Sequence, residues 1–465
     1  MRIGIRKAAA VLLALVLMTG GVHFLSSGKA ETVAFMHTIP VVMITADEND
    51  LWNETDGMLA EGERIDKSSA PFRNAVYRES GLTERPGHIR LIMPDGTVMF
   101  DQDMTFSLYS LYMGLEIDYP QKPLEIRALP GEAFEGKLFD GSERQSFTGL
   151  VLSNSGCDFT DTNLRDVYVS LLLDAYDPAV LHQCFRPAAV YLNGTYWGMY
   201  ALGEAMDADW VSCSTGAKAE DAAMLRVTGG LEYGPESARQ EYLEVMNRIK
   251  THPASESPEN LAYLTAHIDA EAYLKCMAVM IFLGDSDPAT LLMVNSGDGR
   301  WRPVIQNNDY CLYNSAFDSV TSYTKAGGMG MQRIDNTILR ELLKVDEYRE
   351  LFLAELGWVY QFFTAERMLG ILDTLVLSVQ DEMMLHWVRW CHEDYNVLDY
   401  GLVKDDALAD YQRWQTRVER LRNVCRRRPA FMWSFVREGF KLDDGEMTKY
   451  FGPAPASWQD IVEGK

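Results

Sequence analysis

The chain has 465 residues, 47% of them hydrophobic, and a formal net charge of −24. That is enough apolar sequence for one large core or two medium ones. The negative charge argues against nucleic acid and anionic membrane surfaces as partners, because both repel an acidic protein, and it favours a cationic substrate.

Arg2, Arg6 and Lys7 open the chain, followed by an apolar run from Ala8 to Met18 that continues less strictly to Leu25. Gly28-Lys29-Ala30 then precedes Glu31. This pattern over residues 1–30 is that of a secretory signal peptide or an uncleaved signal anchor. The strictly apolar core is short for a membrane span, which favours cleavage. The seven cysteines, Cys157, Cys184, Cys213, Cys276, Cys311, Cys391 and Cys425, include no C-x-x-C pair. Structural zinc is therefore not expected, and scattered buried thiols are the plainer reading.

Ile39 to Ile44 reads as a strand, and residues 60–83 as a loop with short elements. His88 to Met93 alternates in strand fashion, Pro94-Asp95-Gly96-Thr97 is a turn, and Val98 to Phe100 returns as the second arm of a hairpin. Met104 to Gly114 and Lys122 to Ala128 read as further strands, with Lys122 at the start of the second.

Leu150 to Leu152 is a short buried-strand pattern ending in the turn residues Ser153-Asn154-Ser155-Gly156. A helix is predicted over Thr162 to Leu173, capped by Thr160 or Asp161. Ala188 to Leu192 and Tyr196 to Leu202 flank Asn193-Gly194, the strongest short hairpin signal, and deliver Glu204. Asn154, Asp158, Arg165 and Glu204 thus lie at turns and strand ends, where sites are usually built.

Further on, helices are predicted over Glu236 to Thr251 and over Asp269 to Leu283, with Asp269 as cap and a linker or loop at His252 to Pro258 between them. Where the second helix stops, Gly284-Asp285-Ser286-Asp287-Pro288 places two carboxylates close together. A strand from Trp301 exits through Gln306-Asn307-Asn308-Asp309. Gly327-Gly328-Met329-Gly330 reads as a flexible loop. The rest is helical: from Asp335, over Thr364 to Met384, and over Asp410 to Arg428, ending at Pro429. Arg417, Arg420, Arg422, Arg426, Arg427 and Arg428 form a basic run read as a solvated face paired with the protein's own carboxylates. No G-x-S-x-G elbow, H-E-x-x-H or Walker A loop is present.

The central stretch resembles the CotH family, named for a spore-coat protein and regarded as atypical secreted protein kinases. The family pattern is approximately L-R-N-S-G-N-D, then F-R-D, then P-x-x-V-x-L-N-G-x-Y-W-G-x-Y-x-L-x-E. Asn154, Ser155, Gly156, Asp158, Arg165, Asp166, Pro187, Val190, Leu192, Asn193, Gly194, Tyr196, Trp197, Gly198, Tyr200 and Glu204 match it in order. The resemblance extends to N-T-L-x-x-L-L near Asn336, H-x-x-R-W at His386 to Trp390 and W-x-x-x-V-x-x-L-R at Trp414 to Arg422, and covers about residues 38–442.

The resemblance implies an α+β chain with a divergent kinase-like fold, β-rich in its N-terminal half and helical in its C-terminal half. The divisions it suggests are a β-rich lobe with the central motifs over residues 31–260, a mainly helical lobe over 261–442 and a tail over 443–465. It implies phosphate transfer from ATP, with Mg²⁺ or Mn²⁺, to Ser or Thr of an extracellular or spore-coat protein. Lys122, Asn154, Arg165 and Glu204 would serve the nucleotide, with Lys122 and Glu204 in one cleft. Asp285 or Asp287 would take the catalytic position, and Asp309 with Asn307 the metal. Four departures point instead to a pseudokinase acting as a nucleotide-binding or structural surface protein. Asn307 stands where the family has the first Asp of D-x-D, and the later metal-binding Asn has no counterpart. Gly203 replaces an expected Arg, and Ser153 replaces the motif Arg.

Overall fold

A computed structural model describes residues 37–62, 75–109, 118–392, 405–455 and 458–463. The predicted export segment, residues 110–114 and part of the tail lie outside the described residues. The chain is α+β and gathers into two compact units. One takes its described residues from Met1–Val167, Cys184–Ala205 and Asp373–Val418; the other from Tyr168–Gln183, Met206–Leu372 and Glu419–Lys465.

The first unit is built on a closed barrel. Its strands are β1 (Val41–Ala46), β2 (Arg85–Ile92), β3 (Val98–Leu108), β4 (Leu124–Ala128), β7 (Gly149–Ser153), β8 (Phe185–Leu192) and β9 (Thr195–Glu204); β5 (Phe134–Glu135) and β6 (Ser146–Phe147) pair separately. The barrel order is β1-β2-β3-β4-β7-β9-β8, and a parallel pairing of β1 with β8 closes it. Alternate residues fill the interior, among them Val42 and Ile44, Ile89 and Leu91, Leu124 and Ile126, Leu150 and Leu152, Ala188 and Val190, and Tyr200 and Leu202. This is the period of two that the sequence carries. β7 is buried at all five positions, so both of its faces are covered.

The Asn193-Gly194 hairpin forms as expected, with φ of 49° and 76°, the left-handed pair that a tight two-residue turn requires. The hairpin after His88 also forms, but its second arm is one strand running through Leu108, not separate strands at 98–100 and from 104. Pairing with β2 on one edge and β4 on the other keeps β3 extended across the polar residues between.

In the second unit the helix Ala270–Leu283 is central. It is buried on nearly every side, as an all-round apolar helix must be, and Asp269 caps it by accepting the Ala272 N–H at 3.2 Å. It packs on the helix Asp346–Phe362. A four-stranded sheet, β10 (Met224–Arg226), β11 (Leu231–Tyr233), β12 (Leu292–Asn295) and β13 (Trp301–Val304), runs in the order β11-β10-β12-β13. The expected linker at 252–258 is instead a short 3-10 turn leading into the helix Pro258–His267, with Ser257 as cap and proline in the first turn.

Two expectations at the C-terminal end fail. The helix Ala407–Phe440 runs through Pro429. Ala430, Met432, Trp433 and Val436 beyond it are buried, so packing holds the helix together across the missing N–H. The basic run is not one solvated face. Arg422 and Arg426 do pair with Glu419, and Arg417 pairs with Asp161, but Arg428 is fully buried and its five N–H donors go to main-chain carbonyls and one hydroxyl.

Candidate functional site

In the first unit, the turn after β7 is a hydrogen-bonded knot. Ser155 and Gly156 take left-handed φ of 68° and 50°. Asn154, 1% exposed, accepts the Gly156 N–H at 3.1 Å and donates through Nδ2 to the Gln121 carbonyl at 2.8 Å. That second bond ties the turn to the segment carrying Lys122. Lys122 is itself buried: Nζ donates to the Tyr119 carbonyl at 2.9 Å and lies 3.7 Å from the centre of the Tyr77 ring. Tyr200 Oη donates to the Lys122 carbonyl at 2.9 Å.

Asp158 organises the chain as far as Arg165. Its carboxylate accepts the N–H groups of Thr162 at 3.1 Å, Leu164 at 2.9 Å and Arg165 at 3.0 Å, as well as the Thr162 hydroxyl at 2.6 Å and the Arg165 guanidinium. It therefore does the capping expected of Thr160 or Asp161 for the helix Arg165–Asp174. Burial pushes its carboxyl up, and the neighbouring guanidinium opposes that shift. Asp161 lies between Arg165 and Arg417. Arg165 is 3% exposed and engaged by these two carboxylates.

Glu204, at the end of β9, is also buried. It lies 3.4 Å from Arg144 Nη1, accepts the Ser142 hydroxyl at 3.3 Å and accepts the Cys184 N–H at 3.3 Å. Leu150 is paired with Glu204, and Leu152 with Leu124. The register puts Glu204 and Lys122 toward opposite ends of β7, on the order of 10 Å apart along the strand. The two side chains keep different company. Gly203 has a steric reason: a Cβ there would lie 2.4 Å from the Phe185 ring, leaving no room for the expected Arg.

The Y-W-G motif explains itself in the same unit. Gly198 has φ of 111°, and a Cβ on it would sit 2.6 Å from Trp390 Nε1 and 3.2 Å from His386 Nδ1. The H-x-x-R-W segment of the helix Ala365–Trp390 lies directly on this strand: His386 Nδ1 accepts the Met199 N–H at 3.2 Å, and Trp390 donates to the Trp197 carbonyl at 3.1 Å. Burial holds His386 down at about 3, so it is neutral.

In the second unit, the helix Ala270–Leu283 ends at Gly284, φ 64°, and hands the chain to Asp285. Asp285 is 2% exposed and accepts the Asp287 N–H at 2.9 Å. Burial pushes its carboxyl up to about 7, with a smaller push from the Asp287 charge. Asp287 is half-buried and caps the 3-10 turn Pro288–Thr290. The two carboxylates left open by the sequence therefore sit in different environments.

Two bonds bring the exit of β13 to this turn. Thr290 donates to the Gln306 carbonyl at 3.4 Å, and Leu312 N–H donates to the Leu283 carbonyl at 2.7 Å. Asn307 and Asp309 lie in the chain between those anchors, so the segment that carries them runs beside the one that carries Asp285 and Asp287. Asp309 is 6% exposed. Asn307 adopts φ of 52°, a region Asn tolerates better than most side chains. The glycine loop is pinned: the Met331 N–H donates to the Ser286 carbonyl at 2.8 Å, and a Cβ on Gly330 would lie 2.3 Å from Pro288. Sequence reasoning missed the buried Arg428, for which a single arginine among five others gives no signal.

The chain belongs to the CotH kinase protein family. The family model matches residues 114–432, which include every candidate residue described above. No curated protein matches the chain. Among the described residues, no helix is long and apolar enough to cross a membrane.

Proposed function

We propose that the chain is a secreted CotH-type protein kinase with a divergent kinase-like fold, moving the γ-phosphate of ATP to Ser or Thr of an extracellular or spore-coat protein. The observation that carries the reading is the buried carboxyl of Asp285, pushed up to about 7 inside the family-matched span. A proton acceptor works best with its pKa near the working pH. In this reading Asp285 takes the proton from the acceptor hydroxyl as its oxygen bonds to phosphorus and the bond to the ADP oxygen breaks. Asp287 is engaged in capping and is the weaker candidate.

Asp309 and the side-chain carbonyl of Asn307 would hold Mg²⁺ or Mn²⁺, since hard cations take oxygen ligands and both residues have one to offer. The metal, when bound, would neutralise charge on the nucleotide phosphates. Lys122, Asn154 and Glu204 are assigned to the nucleotide. Arg165, turned inward between Asp158 and Asp161, supports the Asn154 turn by holding Asp158. The partners proposed are a protein substrate and no nucleic acid, with no membrane contact beyond an N-terminal anchor.

A second reading, the pseudokinase, is favoured by Asn307, whose neutral carbonyl binds a divalent cation far less well than a carboxylate. Calorimetric titration with ATP, with and without Mn²⁺, separates the two. Wild type should bind in a metal-dependent way, Asn307→Asp more tightly, and Asp309→Ala should lose the metal dependence. Identical isotherms for all three would remove both readings. Phosphate transfer by the wild type, lost in Asp309→Ala, selects the kinase.

A further inference from the structure

Arg428 is fully buried in the helix Ala407–Phe440. Nε donates to the Phe282 carbonyl at 2.8 Å, Nη1 to the carbonyls of Ser315 at 3.0 Å and Phe317 at 2.8 Å, and Nη2 to the Ile281 carbonyl at 2.8 Å and the Ser319 hydroxyl at 2.6 Å. Every donor of the guanidinium is used, and none goes to a carboxylate. The Ile281 and Phe282 carbonyls close the helix Ala270–Leu283, where the last carbonyls have few backbone partners, Ile281 receiving the Gly284 N–H at 3.2 Å, and the dipole favours a cation. Burial lowers Arg428 to about 9, so it stays protonated at neutral pH.

Its position matters for the turn that follows. A Cβ on Gly284 would lie 2.9 Å from Arg428 Nη2, so the guanidinium rests against the backbone that leads into Asp285. Ser315, Phe317 and Ser319 belong to the segment that follows Asp309. Ser319 also donates to the Ile281 carbonyl at 2.6 Å, closing a ring of bonds around the helix end. One side chain thus fastens the end of the helix before Asp285 to the chain leaving Asp309.

We infer that Arg428 is the positioning residue for Asp285, holding the turn that keeps this carboxyl buried and aimed. The inference rests on the proposed role of Asp285 as proton acceptor. The groups around Asp285 are Asp287, whose N–H it accepts, and Tyr323, whose hydroxyl donates to the Asp285 carbonyl at 3.0 Å. Cys276 and Cys311 in turn lie near Tyr323. None of these replaces the clamp, because none bridges the Phe282 carbonyl to the Ser315–Ser319 segment.

Arg428→Lys keeps the charge and loses the five-donor fork, and Ser319→Ala is the milder variant if the first does not fold. With the turn loosened, water reaches Asp285, and the acid limb of kcat against pH should move down by about one unit. Lost aim should lower the plateau of kcat above the limb about tenfold while KM for ATP changes less than about twofold. The same shift is readable without activity: the pH at which Asp285→Asn alters stability should move down in the Ser319→Ala background. An unmoved limb and an unmoved stability midpoint overturn the inference. If the wild type transfers no phosphate at any pH, the kinase reading fails, and the stability arm still decides whether Arg428 holds the carboxyl.

Discussion

Replacing Asp285 by Asn should stabilise the protein in alkaline but not in acidic solution. Asp285 rises from 3.8 to about 7 in the folded chain because burial disfavours its charge. Between those values the folded state holds a proton that the unfolded state has released. Stability from this group is therefore present at low pH and falls as pH rises through 7. A shift of this size corresponds to about 4 kcal/mol at pH 8 and to under about 1 kcal/mol at pH 4. Asn has nearly the same shape, and its Oδ1 can still accept the Asp287 N–H. It carries no charge to bury, so Asp285→Asn should recover that difference at pH 8. His386 acts in the opposite direction: its proton affinity is lowered to about 3, so the folded state loses stability as pH falls below 6.5. The two effects overlap in a raw stability profile and separate in the difference between wild type and variant. The assay is urea unfolding of both proteins from pH 4 to 8. Parallel curves, or a variant weaker than wild type at pH 8, would refute the assignment of Asp285 as a buried, proton-holding carboxyl.

Other outcomes follow from particular contacts. Gly198→Ala should destabilise by about 2 kcal/mol or more, since a Cβ meets Trp390, Gln121 and His386 at a positive φ; denaturant midpoints check it. Asp158→Ala should cost about 3–5 kcal/mol by leaving the buried Arg165 guanidinium and the helix N–H groups without their main acceptor, and Asp158→Asn should cost less. Pro429→Ala restores a helix N–H and removes a ring clash, so the melting temperature should rise or hold steady; a clear fall would mean that packing around the ring outweighs both. Mass spectrometry of the native protein should find a mature N-terminus near Glu31, and a protein retaining Met1 would contradict cleavage.

Local features were legible in the sequence. Asn193-Gly194 makes its hairpin because only a few residues accept its dihedrals, and Glu236–Thr251 and Ala270–Leu283 are helices whose apolar positions lie within their own span, the second flanked directly by its caps Asp269 and Gly284. The motif string around residues 154–204 was enough to identify the family. What the sequence could not supply were properties set by residues far away in the chain. Pro429 ends no helix because buried neighbours hold the next turn. Asp285 and Asp287, two residues apart and equivalent on paper, differ because one is buried at the end of a buried helix and the other, half-buried, caps the 3-10 turn Pro288–Thr290. Arg428 looks like its charged neighbours until the carbonyls of residues 281, 282, 315 and 317 surround it. Dihedral preference and periodicity act over a few residues and can be read locally; burial and the identity of a hydrogen-bond acceptor depend on chain more than a hundred residues distant, and only the folded structure brings that chain into place.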